Sequence, residues 1–230
     1  MFVLRKMFSC LSEPETLTYP KHIAIIPDGN RRYSKRLFQN SISGYKDSSL
    51  ALERLMKWCL TNTISELSVF AWSSENWLRP EVEISSVMQQ FDNTLDKWSV
   101  DKQEDIAFYF VSTSPEKLKP SIREKMLLCH TKTQQNSKLK VYIYISYGFS
   151  EDIEAKQDGS FRSTSAVPED ASDPDMLIRT SNEQRLSNFC MWHLRYTELI
   201  FIKPLFPECD EEVWNACVEE YTSRQRHFGQ

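Results

Sequence analysis

Residues 22–32 read HIAIIPDGNRR, a short apolar run followed by a proline and a polar turn that carries two arginines. A continuous apolar run bounded by turn residues is typical of a strand buried on both faces, so a strand is predicted over residues 23–26. A glycine-containing turn that leads from a strand into a helix directs unpaired backbone N–H groups, and the positive end of the helix dipole, at one point. Such a point binds anions.

The charged side chains of this turn indicate a phosphate ligand together with a metal ion. Arg31 and Arg32 supply guanidinium groups suited to phosphate oxygens. Asp28 would repel a phosphate unless a cation lay between them, and Mg²⁺ is ordinarily bound by one carboxylate together with substrate phosphates. A solvated turn is the better interpretation of an isolated Asp-Gly-Asn sequence, but the second half of the chain favours a ligand site.

Apolar runs recur along the whole chain and alternate with helical patterns. This alternation predicts an α/β fold: a single domain with a mostly parallel six-stranded sheet flanked by helices. The strands are predicted over residues 23–26, 66–72, 106–112, 141–146, 176–179 and 198–202, and the helices over residues 50–60, 87–98, 120–129, 187–196 and 211–224. Residues 152–173 are polar and lack an apolar period, which predicts a mobile loop.

The composition limits the class of protein. The chain has 230 residues, of which 40% are hydrophobic, and its net charge of −4 argues against broad nucleic-acid binding. Six cysteines without a CxxC pair, and only four histidines, argue against structural zinc and favour reduced thiols in a cytoplasmic protein. Residues 1–8 are too short and too charged to span a bilayer, so residues 1–20 are expected to be an extension with at most peripheral membrane contact.

Three polar turns follow predicted strands at the same edge of the sheet. They occupy residues 28–32, 73–77 and 180–185. Ligands of open parallel sheets bind beyond the carboxyl ends of the strands, so these turns are expected to meet around one cleft.

A second anion site is predicted beside the third turn. Arg179, Arg185 and Ser187 place two guanidinium groups and a hydroxyl within nine residues. Ser187 is also expected to cap the helix predicted after it. Glu198, which opens the last strand, is by itself an ordinary capping or surface carboxylate.

Two anion sites with carboxylates and no evident nucleophile predict a reaction between two phosphorylated substrates. The sequence contains no GxSxG, Walker A or GxGxxG pattern, which disfavours triad hydrolases, P-loop kinases and dinucleotide-binding folds. The aromatic residues near the turns fit either an apolar groove or the protein core. They are Phe70, Trp72, Trp77, Phe91 and Trp98.

With these motifs in order, the chain resembles the cis-prenyltransferases, the family of undecaprenyl and dehydrodolichyl diphosphate synthases. The resemblance covers residues 21–229 and implies a cis-prenyltransferase domain over residues 21–230 that is usually dimeric. Five blocks carry it: HIAIIPDGNRR (22–32), AWSSENWLRP (71–80), SYG (146–148), DMLIRTSNEQRLSNF (175–189) and WHLRYTELIF (192–201).

The resemblance implies roles for the residues of the first turn. Asp28 matches the carboxylate that binds Mg²⁺ on a diphosphate. Gly29, Asn30, Arg31 and Arg32 match the loop that binds the allylic diphosphate. We call residues 28–32 the first diphosphate site.

Further roles follow in the second half of the chain and in the turn after the second strand. Arg179, Arg185 and Ser187, which we call the second diphosphate site, match the site for isopentenyl diphosphate. Glu198 matches a second metal-linked carboxylate. Ser73, with Asn30, matches residues proposed to assist proton loss. Glu75 and Trp77 match a flexible segment that closes the site, and Trp72 is bulkier than the expected Phe and is predicted to narrow the groove.

The sequence departs from the family pattern in the allylic site. Ser41 stands where the family has an arginine, and Tyr45 stands where it has a histidine. The usual IRTGGE reads IRTSNE, the C-terminal Arg-x-Gly reads His-Phe-Gly at residues 227–229, and the segment after Gly148 is short and lacks a helical pattern.

These changes predict a short product of roughly two or three isoprene units, because a groove filled by side chains accepts less apolar tail. They are also compatible with head-to-middle coupling of two dimethylallyl units. In one alternative, Lys35, Arg36 or Lys46 replaces the lost cation and the product stays long. In another, the chain is a catalytically weak partner subunit of a heteromeric enzyme. Retention of the acidic residues and arginines favours an enzyme, and the resemblance implies that it is a homodimer.

Overall fold

The computed structural model of the protein describes residues 18–38, 44–100, 105–157 and 171–226. The strands are β1 (His22–Ile26), β2 (Glu66–Ser73), β3 (Ile106–Val111), β4 (Leu139–Tyr147), β5 (Met176–Arg179) and β6 (Glu198–Phe201). They form one six-stranded sheet in the order β3-β4-β2-β1-β5-β6, and every neighbouring pair is parallel. The helices are α1 (Asn30–Phe38), α2 (Tyr45–Thr61), α3 (Glu81–Val100), α4 (Pro120–Thr133), α5 (Phe149–Gln157) and α6 (Glu211–Ser223).

Both faces of the sheet are covered, which confirms the predicted fold. Successive side chains of a strand point to opposite faces. In β1, Ile23 and Ile25 join the core beneath α2, α3, α4 and α6, while Ala24 and Ile26 join the core on the other face. This second core includes Phe189 and packs against Phe149 of α5. Burial on both faces explains why the strands are continuous apolar runs.

Among the predicted elements that are present, the observed bounds differ most from the predicted ones at the first residues of α2 and α3. β5 has the predicted bounds, whereas α2 and α3 begin at Tyr45 and Glu81, five and six residues before the predicted starts at residues 50 and 87. The first turns of both helices are rich in polar residues, so the apolar period that marks a helix begins later than the helix does.

The predicted helix over residues 187–196 is wrong. Ser187, Asn188 and Cys190 have φ angles of 52°, 61° and 44°, which lie in the left-handed region and interrupt a right-handed helix. Only a 3₁₀ turn, Met191–Leu194, forms in this stretch. Ser187 therefore caps no helix, and its hydroxyl is directed to a different partner.

The loop predicted over residues 152–173 is wrong at its beginning, where α5 continues to Gln157. Among the described side chains of this helix, Asp152 faces inward beside Phe149; it is 5% exposed and accepts a hydrogen bond from the Tyr147 hydroxyl at 2.8 Å. A buried aspartate in place of an apolar residue removes the period on which the prediction depended. Residues 158–170 lie outside the described residues.

Several further predictions are only partly addressed by the described ranges. Cys59, Cys129, Cys190, Cys209 and Cys217 are buried free thiols, and the cytoplasmic location stays a prediction. Within the described part of the chain, none of the helices combines the length and apolar character that crossing a bilayer requires. Cys10, the predicted extension up to residue 17, Ser41 and residues 227–229 lie outside the described residues.

Candidate active site

The three polar turns meet, as predicted, at the carboxyl edge of the sheet. There they line a cleft of about 740 Å³, which we call the polar cleft. Its lining includes Asp28, Gly29, Asn30, Arg31, Arg32, Trp72, Ser73, Glu75, Arg179, Arg185 and Ser187. The structure thus brings together most of the residues that the sequence singled out, although they come from three separate segments.

The first turn depends on glycine both for its conformation and for its packing. Gly29 has a φ of +96°, and a Cβ atom there would lie 2.8 Å from the Cδ2 atom of Leu205 and 2.9 Å from the Cβ atom of Ser181. The tight turn allows α1 to begin at Asn30, with its N-terminus at the cleft. This geometry supplies the positive helix end expected at an anion site.

A buried arginine connects the two predicted diphosphate sites. Arg179 is 3% exposed, and its Nη2 atom donates to Oδ2 of Asp28 at 2.8 Å. Its Nη1 atom donates to the Ser187 hydroxyl at 2.8 Å and to the Arg185 carbonyl. The other carboxylate oxygen of Asp28 accepts from the Gly29 N–H at 2.7 Å. The side chain that was assigned to the second site is therefore also the counterion of the first.

Glu183 holds the two exposed arginines of the cleft side by side. Its carboxylate lies 2.9 Å from Arg32 Nη2 and 2.5 Å from Arg185 Nη1, and Arg32 also donates to the Ser181 hydroxyl. The two arginine side chains are 51% and 59% exposed. An exposed ion pair contributes little stability, so an anionic ligand can displace this carboxylate from the two arginines at little cost. The sequence analysis did not select Glu183 as a site residue, although Glu183 lies between Arg179 and Arg185 in the chain, and both arginines were selected.

A second group of charges surrounds Tyr45 on the opposite wall. Glu83, whose side chain is 4% exposed, lies 2.9 Å from Arg79 Nη1 and 3.6 Å from Arg31 Nε, and it accepts a hydrogen bond from the Tyr45 hydroxyl at 3.0 Å. Burial raises the pKa of Tyr45, with Arg79 opposing and Glu83 reinforcing the effect, so the phenol stays protonated. Arg79 lies within the matching block AWSSENWLRP (71–80) and pairs with Glu83, four residues later. This i,i+4 spacing of opposite charges could have identified both residues.

The turn after β2 places its predicted residues in different surroundings. Ser73 is buried at the cleft, and Glu75 is exposed and accepts from Asn188 Nδ2 at 3.0 Å. Burial acts to raise the pKa of Glu75, but hydrogen bonds from its own backbone and from Asn188 and Ser73 outweigh it and lower the pKa. Trp77 lies behind the cleft wall, where its Nε1 donates to Ser146 Oγ at 2.8 Å and its ring packs edge-on against Trp72.

Glu198 lies at the end of the parallel sheet opposite the polar cleft, where the strands begin. It opens β6 beside Met176, whereas Phe201, three residues later, lies beside Arg179. Three strand residues span ~10 Å, and the carboxylate of Glu198 pairs with Arg224 Nη1 at 2.9 Å. Within one chain, therefore, Glu198 does not share a metal ion with Asp28.

A smaller cavity of about 120 Å³ continues from the polar cleft beneath α2 and α3, and we call it the apolar cavity. Phe91 and Trp98 line it, while Phe70 and Trp72 line the polar cleft. Four of the five aromatic residues for which groove and core were both open thus line these two spaces, and Trp77 packs against the core instead. The rest of the lining includes Leu52, Val69, Val87, Ile143 and Phe206.

Comparisons with known proteins all find relatives of one family. The family model for undecaprenyl diphosphate synthases matches residues 26–229. The (2E,6E)-farnesyl-diphosphate-specific ditrans,polycis-undecaprenyl-diphosphate synthase of Xanthomonas campestris is 33% identical over 236 residues, covering 95% of this chain and 91% of that protein. An isoprenyl transferase of Nitrosomonas europaea is 35% identical, covering 94% and 88%. Lavandulyl diphosphate synthase from Lavandula x intermedia, solved with dimethylallyl diphosphate, gives a TM-score of 0.80 at 26% identity, covering 92% of this chain and 98% of that one.

Proposed function

This chain belongs to the undecaprenyl diphosphate synthase family and is a prenyltransferase, and we propose that it joins an allylic diphosphate to a second isoprenoid diphosphate in a Mg²⁺-dependent reaction. The second substrate is isopentenyl diphosphate or another dimethylallyl diphosphate. The observation that carries the proposal is the buried Arg179 guanidinium, which contacts Asp28 of the first diphosphate site and Ser187 of the second. A shared cation of this kind fixes the relative position of two diphosphate groups.

The reaction breaks the allylic C–O bond and one C–H bond, and it forms one C–C bond. The allylic C–O bond breaks first, and the diphosphate leaves with the electron pair. The alkene of the second substrate then forms the C–C bond to the allylic carbon, and the coupled cation loses a proton to an oxygen of the released diphosphate, which restores a double bond. Arg31, Arg32 and the N-terminus of α1 would stabilise the charge that grows on the leaving diphosphate, while Arg185 and Ser187 would bind the second diphosphate.

The residues present fit a magnesium ion that is bound chiefly through substrate. Asp28 offers a carboxylate with two oxygens at the cleft, and among the described residues each oxygen accepts from one donor. Mg²⁺ is typically held by one or two carboxylates plus substrate phosphates. When bound, the ion would add positive charge beside the leaving diphosphate. Asn30 and Ser73 would orient the allylic group and assist proton loss, and Glu75 and Trp77 would belong to the segment that closes over the substrates.

The apolar cavity supports a short product. Its volume of about 120 Å³ is comparable with the ~150 Å³ cavity that holds one benzene molecule. A space of that size takes a tail of roughly one or two isoprene units, which is consistent with products of two or three units. The lavandulyl diphosphate synthase, solved with dimethylallyl diphosphate, makes head-to-middle coupling of two such units a specific form of this proposal. The undecaprenyl names of other relatives make a long product the competing outcome.

Product analysis tests the proposal. Purified protein is incubated with Mg²⁺ and isopentenyl diphosphate plus dimethylallyl, geranyl or farnesyl diphosphate, and in parallel with dimethylallyl diphosphate alone. Mass spectrometry and NMR of the dephosphorylated products give chain length and connectivity. We expect short products, and we expect that they are no longer formed when EDTA is added. A ladder that reaches long polyprenyl chains would overturn the short-product proposal, and turnover unaffected by EDTA would overturn the magnesium proposal.

We further propose that the active form is a homodimer with at most peripheral membrane contact, as the family resemblance implies. Light scattering after gel filtration gives the mass of the particle, and flotation with phospholipid vesicles measures membrane binding. A monomeric mass at the concentrations at which the enzyme is active would contradict the dimer.

A further inference from the structure

The polar cleft and the apolar cavity share four lining residues, Pro27, Asn30, Tyr45 and Ala71, and we call this shared boundary the constriction. The tail of a substrate that has its diphosphate at Asp28 and its hydrocarbon chain in the apolar cavity lies against these residues. Side chains at this boundary can therefore limit which tails enter, in addition to the volume of the cavity.

Tyr45 is held in one position from the side of its hydroxyl. The hydroxyl donates to Glu83 Oε1 at 3.0 Å and accepts from Arg79 Nη1 at 3.3 Å. Glu83 is nearly fully buried, so moving the phenol away would leave a buried carboxylate with one donor fewer. The ring is therefore a fixed part of the constriction, and it cannot swing aside cheaply.

Asn30, another residue of the constriction, is also held by two hydrogen bonds. Its Nδ2 atom donates to the Pro27 carbonyl at 2.8 Å, and its Oδ1 atom accepts from the Ser48 hydroxyl at 2.8 Å. Ser48 lies in the first turn of α2, three residues after Tyr45. One helical turn thus supplies both the tyrosine and the group that holds the asparagine.

The start of α2 is itself clamped to α1. Gly44 N–H donates to Ser34 Oγ at 2.8 Å, and a Cβ atom at Gly44 would lie 2.4 Å from that oxygen. Ser34 is fully buried. Because the backbone on which Tyr45 stands is packed this closely, the constriction cannot widen by a small shift of the helix.

We propose that Tyr45 is a specificity-determining residue that limits the allylic substrate to a short tail. The inference rests on the proposed function, since it assumes that an allylic diphosphate occupies the polar cleft. The limit on the length of the tail then lies at the entrance of the cavity, at Tyr45, where the family pattern has a histidine. Phe91 and Trp98, which line the apolar cavity and not the polar cleft, have a secondary effect.

The test compares binding of unreactive allylic thiolodiphosphates with five, ten and fifteen carbons to the wild type, Tyr45→Ala, Tyr45→Phe and Phe91→Ala. Binding is followed by titration calorimetry with Mg²⁺ present, and circular dichroism melting checks that each variant is folded. Tyr45→Ala is expected to improve binding of the fifteen-carbon analogue relative to the five-carbon analogue by tenfold or more. Tyr45→Phe keeps the ring and loses the anchor, and it is expected to give a smaller shift in the same direction.

The outcomes separate the inference from the proposed function. If neither Tyr45 variant shifts the chain-length preference, the inference is overturned, and a shift in Phe91→Ala would then place the limit within the cavity. If the wild type already binds the fifteen-carbon analogue as tightly as the five-carbon one, it is overturned as well. Failure of the wild type to bind any allylic analogue would instead refute the proposed function. If Tyr45→Ala does not fold, Tyr45→Phe decides the question alone, and an unchanged preference in it counts against the inference.

Discussion

The two edges of the sheet carry similar residue types in opposite environments. At the amino edge, His22, Glu66 and Tyr142 are all at least nine-tenths buried; Glu66 accepts from the Tyr142 hydroxyl at 2.9 Å and His22 Nε2 lies 2.9 Å from the Ser68 hydroxyl. At the carboxyl edge, Arg32 and Arg185 are more than half exposed and share Glu183. Buried hydrogen bonds are expensive to break, whereas exposed ion pairs are exchanged at little cost. The amino edge therefore suits stability, and the carboxyl edge suits the binding and release of anions.

The largest expected effect is at the carboxyl edge. Asp28→Ala should reduce turnover at least ~100-fold, because losing a group that holds a catalytic metal costs several kcal/mol of transition-state stabilisation. The melting temperature should also fall, because the buried Arg179 guanidinium loses its carboxylate partner. Steady-state rates and thermal melting check both parts. Asp28→Asn is the matched control, because it keeps the side-chain size and should be nearly as inactive. Near-normal rates in either variant, with Mg²⁺ still required, would remove Asp28 from the metal site.

The second-largest effect is expected at the amino edge, where stability should change and activity should not. Tyr142→Phe removes one hydroxyl and leaves a buried Glu66 oxygen without that donor, so the free energy of unfolding should fall by about 1–3 kcal/mol. The kcat value should remain close to that of the wild type. Urea unfolding and product formation are measured on the same sample. A loss of activity without a loss of stability would show that this edge also takes part in function.

Arg179 and Arg185 distinguish a shared contact from a separate one. Arg179→Lys should raise KM for both substrates about tenfold or more, because an ammonium group cannot contact Asp28 and Ser187 together in the geometry of a guanidinium. Arg185→Lys should raise KM mainly for the substrate that supplies the alkene. Initial rates are measured with each substrate varied at saturating levels of the other. If the two variants behave alike, the bridging role of Arg179 is incorrect.

A smaller effect is expected at Asn188, where the second site contacts the turn after β2. Its Nδ2 donates to Glu75, and its Oδ1 accepts from the Ser150 N–H at 2.9 Å. Asn188→Ala should lower kcat a few-fold, about 0.5–1.5 kcal/mol for a lost hydrogen bond, with KM nearly unchanged. Asn188→Asp still accepts from Ser150 but repels Glu75, so it should be the slower of the two. Equal rates in wild type and Asn188→Asp would show that this contact does not position Glu75.

The smallest effect concerns the pH dependence of stability at the amino edge. Burial lowers the pKa of His22 from 6.5, with Glu66 opposing the shift. Below that pH the unfolded chain binds a proton that the native state excludes, so the free energy of unfolding should decrease as the pH falls. Urea unfolding at about pH 7.5 and about pH 5.5, in the wild type and in His22→Gln, measures the difference. The same pH dependence in both proteins would exclude His22 as its source.

Local patterns were sufficient where one stretch of sequence carries the whole signal. β5 has its predicted bounds because MLIR is a short apolar run with turn residues on both sides, and the Asp28–Arg32 turn lies at the expected edge because a parallel sheet leaves few alternatives. The prediction failed over residues 187–196, where left-handed backbone at Ser187 and Asn188 interrupts a helical apolar pattern. It failed again at Asp152, where a buried carboxylate replaces the apolar residue that a periodic pattern needs.

Order and spacing along the chain were enough to predict the class of fold, the three polar turns and the residues that match a prenyltransferase. The pairing of charges, by contrast, is visible only in the folded chain. Arg179 meets Asp28 across 151 positions, Tyr45 meets Glu83 across 38, and Glu198 lies away from the cleft although it belongs to a matching block. Pairings between distant segments depend on strand order and helix packing, and a single sequence records neither directly. For the same reason, the constriction at Tyr45 becomes visible only when α1, α2 and the sheet edge are assembled.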